Sequence, residues 1–170
     1  MAWTTPKTDF SPGNVLTAAQ MNNIGGNLEA LTAGRRLGYV TQTSNVTVNQ
    51  NSLASATDVF SSDLTFTGVA ATQYLVEFQC SRSIPGSGDF ITFNLVNGTG
   101  TGIGMFNINT GNDIGIYSRF VYTPGAGSIS INVRCLRNTN NGTLYAGSGG
   151  TGTFDYLPMA LAVFGPVTTT

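Results

Sequence analysis

A chain of 170 residues with 9% charged but 10% aromatic side chains is too apolar to stay unfolded, and it is long enough for one core-forming domain plus an appendage. Seven basic residues against eight acidic ones give a net charge of -1, and only Arg35 and Arg36 adjoin, which excludes an electropositive stripe for nucleic acid. The absence of histidine removes the usual general base and most zinc or iron ligand sets.

Residues 1–15 contain Pro6, Pro12 and Gly13 without an apolar period, so they read as an extended arm with Trp3 as its largest apolar handle. Met1-Ala2-Trp3-Thr4 lacks the basic and apolar regions of a secretion signal, and synthesis in a cytoplasm is expected. A helix is predicted from Thr17. Thr17 and Gln20 stand at the Ncap and N3 places of a capping box, and Leu16 and Met21 at the N′ and N4 places of a hydrophobic staple. Met21, Ile24, Leu28 and Leu31 then form one apolar seam. Gly34 supplies a stop, and Arg35 and Arg36 are placed for the negative end of the helix dipole. Gly25 and Gly26 each weaken the helix by about 1 kcal/mol, so it needs packing to persist. That packing comes either from a partner or neighbouring subunit or from the chain's own domain.

From Tyr39 the apolar period becomes two. Strands are predicted over 39–48, 57–66, 74–82, 90–96, 102–108, 114–122, 128–136, 143–146 and 158–167. Turn signals such as Pro85-Gly86, Asn97-Gly98, Pro124-Gly125 and Asn141-Gly142 punctuate them. This pattern predicts an all-β, antiparallel jelly-roll sandwich over 39–170, preceded by an anchoring arm and one short helix over 1–38. Cys80 and Cys135 fall on the apolar faces of their strands, as buried thiols or as a core disulfide. The final strand differs from the rest. Leu157, Met159, Leu161 and Val163 are assigned to one face and Ala160, Ala162 and Phe164 to the other, so both faces are apolar. Its outer cover is either a subunit interface or a loop over 146–154.

No catalytic constellation emerges. Asp9, Glu29, Asp58, Asp63, Glu77, Asp89, Asp113 and Asp155 show no spacing that favours a hydrolytic carboxylate pair. The glycine-rich segments 98–102 and 147–152 lack the lysine and the strand-to-helix setting of a phosphate loop. Asn112-Asp113 and Asp89 form no ordered calcium-ligand series. No enzyme, metal or cofactor is expected. The longest apolar run, from Met159 to Phe164, falls far short of the roughly 18 residues of a membrane span. Arg82, Arg119, Arg134 and Arg137 read as solvated strand faces, with ion pairs at subunit contacts as the alternative.

The ordered series Trp3, Thr5, Pro6, Gly13, Leu16 to Ala19, Asn22, Asn27 and Leu28 resembles the opening of many tailed-bacteriophage structural proteins, with Phe10 where a tryptophan is usual. The segment 74–78, the hairpin 122–128 and the closing segment 158–163 resemble the trimeric jelly rolls of the tumour-necrosis-factor and complement C1q type, in which the last strand belongs to a sheet that meets its mates around a threefold axis. These resemblances imply a virion-surface protein: a homotrimeric capsid decoration or head fibre. It would be anchored to a major capsid or tail protein through Trp3, Pro6, Leu16, Met21, Ile24, Leu28 and Leu31. Ala160, Ala162 and Phe164 would lie in the trimer interface, and neither nucleic acid nor membrane is an expected partner. The alternative is a tail fibre or receptor-binding tip whose loops 85–90 and 146–156 present Phe90, Tyr145 and Tyr156 to host-surface glycans.

Overall fold

The computed structural model describes residues 35–109, 114–147 and 156–167, together with Thr17, Ala19, Met21 and Asn22. Ala19, Met21 and Asn22 are helical, and the Met21 amide donates to the Thr17 carbonyl at 3.0 Å, the four-residue spacing of an α-helical bond. Met21 is exposed there. The other predicted anchoring residues, Trp3, Pro6, Leu16, Ile24, Leu28 and Leu31, lie outside the described residues, as do Gln20, Gly25, Gly26 and Gly34. Arg36 does not close the helix. It opens the first strand opposite Phe164, because the extended backbone there completes a ladder.

The rest is an antiparallel β-sandwich of eleven described strands: β1 (Arg36–Gln42), β2 (Val46–Val48), β3 (Thr57–Asp58), β4 (Leu64–Gly68), β5 (Gln73–Ile84), β6 (Phe90–Asn97), β7 (Gly102–Asn109), β8 (Ile114–Tyr122), β9 (Gly127–Arg137), β10 (Gly142–Tyr145) and β11 (Met159–Val167). One edge of β5 carries β11 and then β10 end to end, and its other edge carries β8. With β1 outside β11 and β2 outside β10, the first sheet is four strands wide in the order β1, β11, β5, β8. The second runs β4, β9, β6, β7, with β3 in line with β4. This is the predicted jelly roll, eight strand positions in two sheets. The start of β1 and the end of β11 lie at one end of the sandwich, opposite Phe164 and Gln73 respectively. The turns after β5 and β9 lie at the other end.

Two predicted strands are each split. Residues 39–48 divide into β1 and β2. Residues 57–66 divide into β3 and β4 around Val59–Asp63, where Asn132 of β9 substitutes for the missing ladder. Its amide accepts from the Phe60 amide at 3.4 Å and donates to the Phe60 carbonyl at 3.0 Å. A side-chain amide thus serves as a peptide partner, and Val59 and Phe60 can drop fully into the core.

That core is filled from both sheets. Phe78 of β5 meets Phe60 edge-on, with centroids 6.2 Å apart, and meets Phe93 of β6 at 5.6 Å. Tyr74 packs at a tilt against Phe66, with centroids 5.2 Å apart, and its hydroxyl accepts the Val69 amide at 3.0 Å, so its polar end is satisfied. Cys80 and Cys135 are both buried free thiols. They sit on facing strands of the two sheets, Cys80 on β5 and Cys135 on β9. Burial pushes the Cys80 thiol up to about 11 and Cys135 to about 12. The native protein should therefore show no reaction with an aromatic disulfide reagent at pH 8, and two thiols should react once guanidinium unfolds it.

Candidate functional site

The outward face of the first sheet is where the apolar pattern fails to turn polar. Strand register sets its rows. Tyr39, Ala162, Glu77 and Arg119 lie side by side across β1, β11, β5 and β8, with Thr41, Ala160, Gln79 and Tyr117 beside them. Phe164, Leu75 and Val121 form a third row. Ala160 and Ala162 are buried, and their short side chains lie in a trough lined by taller neighbours. Phe164 is half-buried. The trough forms a groove of about 130 Å³ walled by Tyr39, Glu77, Tyr117 and Phe164. Met159, Leu161 and Val163 point into the core as expected, but Leu157 does not. It is 71% exposed, because the ladder begins only at Met159, and its carbonyl accepts from the Ser81 hydroxyl at 3.2 Å.

Few charges interrupt this face. Arg119 pairs with Glu77 at 3.0 Å, and the Arg36 guanidinium lies 4.4 Å from the centre of the Tyr39 ring. Partial desolvation, a hydrogen bond with Glu77 and the charge of Glu77 raise the Tyr117 phenol above its ordinary value. Beyond Tyr117 the face rolls over β8 into a second groove of about 450 Å³, between the two outermost strands β7 and β8. Leu95, Ile103 and Phe120 line it, and Met105, Tyr117 and Val121 stand exposed at its rim. Arg134 likewise finds an intramolecular partner, Asp58 at 2.7 Å. Two of the four arginines read as solvated thus neutralise carboxylates on neighbouring strands.

The predicted ligand-loop residues separate. Tyr145 and Tyr156 converge with ring centres 5.3 Å apart, and the Arg82 guanidinium lies 5.0 and 5.3 Å from them while donating to the Tyr156 hydroxyl. Paired backbone bonds between Gly147 and Tyr156, at 2.8 and 2.9 Å, fasten this cluster. Gly147 has φ +65°, and a side chain there would collide with the Thr43 carbonyl, so glycine is required. Phe90 belongs to the other sheet, at the start of β6. Beside it the buried Asp89 carboxylate accepts backbone amides of Phe90, Thr139 and Asn140 at 2.8, 2.6 and 2.5 Å. Sequence reasoning passed over Tyr39, Tyr117 and Met105. Their signal is an apolar residue at an outward position of a border strand, which becomes visible only once register is known.

Among the described residues, no group of three or more acidic, cysteine or histidine side chains could hold a metal ion, and no helix is long and apolar enough to cross a membrane. No protein-family model and no curated protein matches this chain. Among solved structures, it is similar to the infectious bursal disease virus VP2 subviral particle, at 16% identity and a TM-score of 0.39, over 95% of this chain and 37% of that one. It is also similar to T=1 particles derived from infectious bursal virus, at 14% identity and 0.40, over 97% and 41%. The chain therefore spans about two fifths of the length of these proteins.

Proposed function

We propose that this chain is a non-enzymatic structural protein of a bacteriophage particle, a homotrimeric capsid decoration or head fibre held to the particle by residues 1–38. The observation that carries the reading is the outer face of the first sheet, where Tyr39, Leu75, Tyr117, Val121 and Phe164 surround an alanine floor with a single ion pair among them. Apolar side chains grouped in this way on the outward face of a sheet mark a contact surface. Ala160 and Ala162 let a second copy approach the backbone closely. The strand that follows the arm starts at the same end of the sandwich at which β11 finishes, so an anchored particle would hold that end and display the opposite one. A receptor-binding tip is the second reading, favoured by Tyr145 and Tyr156 grouped at Arg82.

Removal of residues 1–33 is expected to abolish co-sedimentation with the particle while the circular-dichroism spectrum of a folded β-protein remains. Undiminished particle binding by the truncated chain would refute the anchor. Decoration further predicts that adding the protein raises the temperature at which particles lose their genome, with no binding to host cells. Cell adsorption without that gain would favour the tip.

A further inference from the structure

We propose that the groove between β7 and β8 receives Tyr39 of a second copy of this chain, so that copies join border to border around the threefold axis. The inference rests on the trimeric reading above and names its contact. Three identical chains closed in a ring cannot use one self-complementary patch; each must offer two different patches, one fitting the other. The sheet order supplies two such borders. β1, with Tyr39 half-exposed on its outward side, is one, and β8, with Tyr117 and Val121, is the other. Immediately past β8 lies a cavity of about 450 Å³ with an apolar floor of Leu95, Ile103 and Phe120, ample for a phenol ring.

Its rim is exposed to an unusual degree for apolar side chains: Met105 at 67%, Tyr117 at 62% and Val121 at 58%. Seating a ring among them would remove that apolar surface from water. Tyr117 lines this groove and the alanine-floored groove alike, so the two form one continuous surface with the face already assigned to assembly. Gly104 forms part of the wall, and no atom lies within 4 Å of where its Cβ would stand. A larger residue there would fill the groove without disturbing its own chain.

The test uses the full chain and mild oxidation. Cys80 and Cys135 are buried and cannot compete. The double variant Thr41→Cys with Met105→Cys, which keeps Tyr39 in place on the same strand, should give covalent species ending at three chains, while either single variant should give none. Cross-linking in a single variant would mean that like patches meet like, and would overturn the proposal. A double variant that sediments as three chains yet does not cross-link would overturn the groove contact and leave the trimer standing. An unmodified protein that sediments as one chain would overturn the trimer itself. Gly104→Phe should abolish assembly with an unchanged far-ultraviolet spectrum, and retained assembly would also refute the contact.

Discussion

Asn132→Ala should lower the unfolding free energy by about 3 kcal/mol, read as a shift of the urea midpoint with little change in slope. The side chain is 4% exposed and makes four bonds. Its oxygen accepts from Val133 at 2.8 Å and Phe60 at 3.4 Å, and its nitrogen donates to the Phe60 carbonyl and Asp63 Oδ1, both at 3.0 Å. Truncation would strand the peptide groups of Phe60 in a core that admits no replacement partner, and each such group costs about 1–3 kcal/mol. Phe60 itself would lose its hold against Phe78. Asn132→Asp should be at least as damaging, because it replaces a donor to Asp63 with a second carboxylate. Retention of wild-type stability by Asn132→Ala would show that the Val59–Asp63 crossing holds itself.

Asp89→Asn should cost about 2 kcal/mol and flatten the acid limb of the stability curve. Burial alone would raise the pKa of this carboxyl, but the amides of Thr139, Phe90, Asn140 and Asn138 outweigh it and hold the group below its ordinary 3.8. One oxygen accepts two amides at once, Thr139 and Asn140, while the other accepts Phe90. An amide must turn a donor toward one of those sets. The sign follows from the depressed value: the folded state binds fewer protons than the unfolded chain. The stabilisation is complete above the unfolded carboxyl's value and drains away as pH falls through the lower folded value. Chemical denaturation between pH 5 and pH 2 should show the wild type losing this increment and Asp89→Asn lacking it throughout. Parallel acid limbs for the two proteins would contradict the clamp.

Much of this architecture was legible in the chain, because antiparallel strands with one wet face write their alternation into the letters. The alternation predicts β8 at its observed ends, Ile114–Tyr122, and β5, β6, β7, β9, β10 and β11 within one or two residues of theirs. The reading failed where a side chain from afar intervened. Nothing between Thr57 and Phe66 signals that Asn132 will interrupt their ladder, since the partner stands about 70 residues on and looks like any polar residue on a strand. Leu157 misled for a related reason: an apolar residue in the right phase joins a face only if the backbone is already in the sheet. The doubly apolar character of β11 was visible, but its neighbours on that face were not. Tyr39, Leu75, Tyr117 and Val121 become one surface through three registers that only the fold specifies. The same holds for Arg82, which reaches Tyr145 by strand pairing and Tyr156 through the clasp at Gly147.

Burying the outer face of the first sheet against further copies of the chain is the claim on which the assembly, the groove contact and the particle role all depend. Sedimentation equilibrium of the full-length protein at micromolar concentration reads it directly. A single species of three chains is predicted, converted to one chain by Ala162→Arg, whose long side chain would fill the alanine floor and hold a second copy off the backbone. A wild-type protein that sediments as one chain across that range would contradict the account.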